Sequence, residues 1–257
     1  MMNDPAFIFQ PFNTLFFVVT LVFLLLLLVA SLLLKKKPMK TRKTVLVIAC
    51  LLTLLGFFVY KYALWKDQEY NILTADMGGF NWWGELPFHL CNINMLLIPI
   101  AVLTDKRPLL SFSFFVGPLG AAMAILMPGN GFNGYNLFLS RMLGYFGTHY
   151  MIIIEALALA SFGIYRPKFK DLPRTVAALF IIAFLVFLLN LLLRFTGLHP
   201  KANYFFSVET EGNFLLEIFH RWIPLPFLYL IPSLLILCPY MALVTTGFYL
   251  ADRRKHR

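Results

Sequence analysis

The sequence predicts an all-α polytopic membrane protein. It reads as a seven-transmembrane-helix bundle in one domain, residues 1–257, with the N-terminus outside and the C-terminus cytoplasmic. Three observations predict this. Of 257 residues, 60% are hydrophobic and 13% are charged, whereas a soluble domain carries about 25% charged residues. Several apolar runs approach or exceed the roughly 20 residues needed to cross a bilayer. The positive charge is clustered, with 16 of the 22 Lys and Arg in four short segments beside apolar runs, as membrane orientation requires. The net charge of +10 therefore points to topology and not to nucleic acid, for which no polar domain is present.

The first apolar run, residues 12–34, follows a start without a basic region. It is too long for a signal peptide core, so it reads as a retained span. Six positive charges follow within Lys35-Lys36-Lys37-Pro38-Met39-Lys40-Thr41-Arg42-Lys43. Such a cluster stays cytoplasmic and sets the N-terminus outside. The second span is 44–64. The outer loop after it contains Gly78-Gly79 and ends near Trp82-Trp83, whose indoles favour the membrane interface. The third span, 86–104, runs to the turn Asp105-Lys106-Arg107-Pro108. The fourth, 109–127, carries Gly117, Gly120, Ala121 and Ala122, which permit close helix approach. The Gly- and Asn-rich segment 128–140 reads as a flexible outer connector, with a lid as the alternative. The fifth span is 141–164. A basic inner loop with Arg166, Lys168, Lys170 and Arg174 leads to the sixth, 175–195. In the long outer segment that follows, residues 213–222 read as a short interfacial helix. The seventh span is 225–251, and the tail from Asp252 is basic and inner. Eight of the twelve acidic residues fall in the outer segments. There is no internal repeat of the kind many transporters carry. The three cysteines, Cys50, Cys91 and Cys238, all lie in apolar segments, so no structural disulfide is expected.

Polar groups inside such segments are costly and usually face the bundle interior or a wet cavity. Cys91 lies five residues into the third span, about 8 Å deep, and His149 eight residues into the fifth, about 12 Å deep. The difference is within the two to four residues by which span ends are uncertain. Asn190, five residues from the outer end of the sixth span, shares that level, and Arg194 lies nearer the surface. Together they read as a polar pocket opening outward. On the fifth helix Arg141, Tyr145, Thr148 and Glu155, with His149 at the edge, fit an arc of roughly 120°. Glu155 is too far around and along the helix from His149 for direct contact. On the third, a regular helix puts Cys91 and Asn94 on one face, with His89 and Asn92 on the other. His149 is thus the better base for Cys91, and an approach within about 6 Å is what such a pair requires. Cys and His in a low-dielectric pocket are the minimum for thiolate nucleophilic catalysis. Asn92 and Asn94 could orient groups or stabilise an oxyanion, or simply bond neighbouring helices. A metal site from His89, His149 and His220 lacks HxxxH or CxxC spacing.

The segment Leu86-Pro87-Phe88-His89-Leu90-Cys91 resembles the Leu-Pro-x-(His/Gln)-Leu-Cys signature of the YwaF-like integral membrane proteins. The seven spans, the Gly/Asn-rich outer loop and a histidine in the outer part of the fifth span extend the resemblance over most of the chain. It implies membership of a family with a vertebrate branch regarded as cysteine-dependent acyltransferases that remodel ether phospholipids. It further implies Cys91 as acyl-accepting nucleophile and His149 as base.

The leading expectation is therefore a multi-pass enzyme of the cell membrane that transfers acyl groups between phospholipids or lysophospholipids, with membrane lipid as acyl donor and acceptor. Arg141 or Arg194 would hold the lipid phosphate. No soluble cofactor and no metal are required when the donor is a lipid. A transporter or solute-binding permease using the same pocket, with Glu155 as proton-coupling group, is the alternative. A structural or regulatory subunit is the third reading.

Overall fold

The computed structural model describes residues 7–75 and 79–255. Gly78 of the outer loop and the last two residues of the basic tail lie outside them. Among the described residues the helices are α1 (Thr14–Leu34), α2 (Met39–Lys66), α3 (Gln68–Leu73), α4 (Asn94–Thr104), α5 (Arg107–Leu126), α6 (Ser140–Ser161), α7 (Leu172–Phe195), α8 (Phe214–Trp222) and α9 (Leu234–Lys255). Six helical stretches are long and apolar enough to cross a membrane: α1, α2, α5, α6, α7 with its leading turn, and α9 with the 3₁₀ turn before it. An all-helical solution follows from the composition, since apolar surroundings leave each backbone N–H and C=O to be satisfied within its own segment.

The third expected span is not among the six. Residues 86–93 form irregular turns, and α4 that follows has eleven residues. At about 1.5 Å per residue α4 is roughly 17 Å long, against about 30 Å of hydrocarbon. Pro87 opposes helix at the residue before it. The Leu86 N–H donates to the Tyr204 hydroxyl at 3.0 Å. Inside α4, Pro99 removes one further ladder donor.

α6 is the central helix and packs against α5, α2, α1 and α4. Close approach is made by small residues. A Cβ added at Gly117 of α5 would lie 3.1 Å from the Ala156 Cβ of α6. A Cβ added at Gly144 of α6 would lie 2.2 Å from the Tyr60 ring of α2. Since lipid is as apolar as leucine, packing and hydrogen bonds hold such a bundle together, with little help from the hydrophobic effect. Gly144→Ala should therefore force α2 and α6 apart and cost about 1–3 kcal/mol, as overpacking does. A thermal unfolding scan in detergent that shows no loss would refute this. α1 packs on α6 through Phe16 and through Phe23, which stacks on Tyr150 at 4.8 Å, and through two polar pairs, Thr20 Oγ1 to the Tyr150 hydroxyl at 2.7 Å and Ser31 Oγ to Ser161 Oγ at 2.9 Å. Most of its leucines, among them Leu21, Leu24, Leu25, Leu28 and Leu32, remain exposed.

The basic segments meet at one end. Arg42 donates to the Lys35, Lys37 and Phe162 carbonyls, satisfying groups that helix C-termini leave open. Lys43 pairs with Asp105, Arg107 with Asp171 and Arg166 with Asp252. The opposite end gathers α3, residues 79–93, residues 197–213 and the 128–140 connector. That connector is not the loose loop its Gly and Asn content suggested. Tyr135–Asn136 (β2) pairs antiparallel with Ile8–Phe9 (β1), in the register Ile8 to Asn136 and Phe9 to Tyr135. The short helix expected over 213–222 forms as α8, with the Asn213 side chain capping the Leu215 and Leu216 N–H groups.

Candidate active site

Cys91 lies in the turns that lead into α4. The Ile93 N–H bonds to the His89 carbonyl at 2.9 Å, the Asn94 N–H to Cys91 O at 3.1 Å and the Met95 N–H to Asn92 O at 3.0 Å. The chain therefore tightens into the helix around the cysteine. The backbone N–H groups of Cys91 and Asn92 lie in the same turns as the sulfur, just before the start of α4. The two-face split expected of a regular helix does not apply to 86–93. His89 does turn away from Cys91, but because its ring packs on Tyr204 and Phe206, not because of helical phase.

His149 of α6 meets Cys91. The Sγ to Nε2 distance is 3.3 Å, and Nδ1 lies 2.7 Å from the Tyr145 carbonyl oxygen. A carbonyl can only accept, so Nδ1 carries the proton and Nε2 presents its lone pair to the thiol. Tyr145 also stacks on Phe132 at 4.2 Å, lies 4.4 Å from the His149 ring and donates its hydroxyl to Ala124 O. The imidazole is thus held on its face and at one nitrogen. The pair is enclosed, with Cys91 9% and His149 4% exposed, so the expected pocket opening outward is closed. A groove of about 510 Å³ runs instead along α2 and α6, lined by Thr53, Gly56, Tyr60, Gly144, Gly147 and Thr148. Tyr60 also belongs to the cluster that packs around Cys91.

Several expected pocket residues serve other structures. Arg141 is buried, and its two terminal nitrogens donate to Asp67 and Glu69 at 2.8 Å each, over the Tyr135 ring. Arg194 donates to Ala202 O and to Glu209. Arg141 is thus paired with acids at the start of α3, with its Nε buried and without a partner, and Arg194 with an acid of the segment that follows α7. Asn190 gives its amide to Tyr204 O and Ser207 Oγ, and accepts from the Tyr204 N–H. It pins the 204–207 turn, where Phe205 and Phe206 have φ of 62° and 52°, strained values for bulky side chains. Asn190→Ala would leave buried backbone groups unpaired and cost about 3 kcal/mol. The measurement is a denaturation midpoint, with the Cys91 alkylation rate kept near wild type.

Asn94 gives its amide to Leu90 O, while its Oδ1 and that of Asn92 are buried without a partner. Glu155 accepts from Thr53 at 2.5 Å, and its second oxygen is buried without a partner. It does not touch His149. His220 packs on Tyr229, away from His89 and His149. Among the described residues no three His, Cys, Asp or Glu are placed to hold a metal ion. In the 197–213 segment, burial raises the Glu211 carboxyl above the usual carboxylate range and lowers the His199 imidazole.

The site also holds a pair that the motif did not single out. Lys61 of α2, 9% exposed, places Nζ 2.5 Å from Glu85 Oε2. Lys61 follows Tyr60, which belongs to the cluster around Cys91. A lysine inside an apolar run was itself a signal.

The family model described as "TMEM164 family" matches residues 8–245, a stretch that includes Lys61, Glu85, the Leu86–Cys91 segment and His149. The chain belongs to the TMEM164 family. Nothing in the match is specific to YwaF-like members, so the resemblance carried by Leu86–Cys91 stands at the level of the TMEM164 family. No curated protein and no solved structure matches the chain.

Proposed function

We propose that this TMEM164-family membrane protein is an acyl-transfer enzyme acting on phospholipids or lysophospholipids through Cys91. The observation that carries the reading is the Cys91 Sγ to His149 Nε2 contact, with Nδ1 committed to the Tyr145 carbonyl. In this reading Cys91 Sγ attacks the ester carbonyl carbon of a donor lipid while its proton passes to Nε2. The tetrahedral oxyanion is met by the Cys91 and Asn92 N–H groups. Collapse breaks the C–O bond, the glycerol oxygen leaves with the proton from Nε2, and a thioester and a lysophospholipid result. The hydroxyl of an acceptor lipid then gives its proton to Nε2 and attacks the thioester carbonyl, and the sulfur departs and is reprotonated. No group beyond the two lipids enters the balance. The α2–α6 groove supports access for an acyl chain from the membrane side. The basic end of the bundle supports a cytoplasmic C-terminus and, with it, the reading that the pair lies in the outer half of the cell membrane.

The test is labelling. Wild-type protein in liposomes with acyl-labelled phospholipid should acquire label that hydroxylamine removes, and Cys91→Ala should not. An unlabelled wild type, together with transfer by Cys91→Ala at the wild-type rate, would end this reading. The unpartnered oxygen of Glu155 favours a permease as the second reading. Under acyl transfer, Glu155→Gln should change the rate by less than about tenfold, since the carboxyl does not touch the pair. Abolition of a pH-dependent solute flux by the same change would favour the permease.

A further inference from the structure

Lys61 follows Tyr60 on α2, and Tyr60 belongs to the cluster that packs around Cys91. Lys61 is buried five residues before the end of α2. Its Nζ lies 4.7 Å from the Tyr60 ring centroid and 5.1 Å from that of Phe57. The rings sit against the charge and leave its hydrogen bonds to be made elsewhere. Glu85 supplies one partner oxygen, and an ammonium has three donors. Glu85 is also on the irregular 79–93 stretch, so the ammonium can exchange this partner without a helix moving. Beside it the Tyr60 hydroxyl, 94% of whose residue is buried, has no hydrogen-bond partner. A buried donor left unmade is costly in a site that stays empty. A buried ammonium, an unused hydroxyl and a removable carboxylate together suit an anion.

We propose that Lys61 and the Tyr60 hydroxyl bind the phosphodiester of the substrate headgroup, with the lipid phosphate taking the place of Glu85 at the ammonium. The inference deepens the phospholipid reading above and rests on it for the substrate class. Glu85 keeps the empty site neutral. Its displacement couples headgroup binding to the stretch that carries Cys91. A free phosphate offers the same oxygens, but it lacks the chains that hold a lipid in the bundle.

The test uses lipids that Cys91 cannot attack, so it is independent of the nucleophile. A fluorescent dialkylglycerophosphocholine and the matching dialkylglycerol, which has no phosphate, are titrated into the protein in nanodiscs. Lys61→Met should weaken the phosphate-bearing lipid by at least about tenfold and leave the dialkylglycerol within about twofold, since a charge-assisted bond is lost from one ligand only. Lys61→Met combined with Glu85→Gln removes both charges and leaves no buried carboxylate unpaired. It should show the same selective loss, which covers misfolding of the single variant. Lys61→Arg should retain binding. Equal loss for both lipids, or loss for neither, would overturn the assignment. Competition by inorganic phosphate at concentrations matched to the lipid would overturn it in favour of a free anion. If the selective loss appears while Cys91 takes no label from ester lipids, the headgroup site stands and the acyl-transfer reading falls.

Discussion

Cys91→Ala is expected to reduce acyl transfer by roughly 10⁴-fold or more, as loss of the nucleophile does in enzymes that form a covalent intermediate. The fold should survive. The side chain is small, and Cys91 is held by backbone bonds from residues 93–95, which alanine keeps. Thermal midpoints should stay within a few degrees, while hydroxylamine-labile label disappears. Cys91→Ser separates a nucleophile from a packing residue. It preserves volume and hydrogen-bonding capacity, yet an alcohol facing one imidazole without an acidic third group ionises far less readily than a thiol. Transfer by Cys91→Ser at more than about a tenth of the wild-type rate would show the sulfur to be structural.

His149→Gln is expected to lower the rate by about 10²–10⁴-fold, the range for a positioned general base. Its signature is the pH profile. In the proposed mechanism Nε2 takes the thiol proton within the contact, so the wild-type rate should not depend on hydroxide. In the variant the thiolate must form by ionisation, and the rate should climb about tenfold per pH unit while the thiol remains mostly protonated. A variant whose rate is low and flat in pH would indicate that His149 only packs the site. Tyr145 bears on the same result. Its carbonyl fixes the imidazole tautomer and is backbone, so Tyr145→Phe should leave the contact intact and lose only the hydroxyl bond to Ala124.

These expectations divide according to how they could be known. Counting residues along two apolar runs put Cys91 and His149 at a similar level, although the count for Cys91 assumed a helix over 86–91 that does not form. Their separation does not follow, because it depends on how α6 packs against the turns before α4. The regular helix expected over 86–93 fails at Pro87 and at the Tyr204 hydroxyl, a partner 118 residues away. Asn190 was expected in the pocket for its depth, Arg194 for its place nearer the surface above it, and Arg141 for its helix face. Depth says nothing about azimuth, and each is taken by a nearby loop, α3 for Arg141 and residues 202–209 for the other two. Lys61 is visible in the sequence as an ammonium in an apolar run. Its partner Glu85 is not, since 24 residues and a change of element separate them.

The sequence by itself determined the membrane class, the positions of six long apolar helices, the grouping of the basic segments and the chemical identity of the thiol and imidazole. Hydropathy, rise per residue and charge bias are local, and local rules suffice for them. Only the tertiary structure decided that the third segment is half irregular, that the thiol meets Nε2, that Arg141 and Arg194 pair with acids and that Lys61 pairs with Glu85. Those outcomes depend on which faces of different helices meet, and in a bundle that is decided by small residues such as Gly117 and Gly144 and by polar groups that must find partners where no water supplies them.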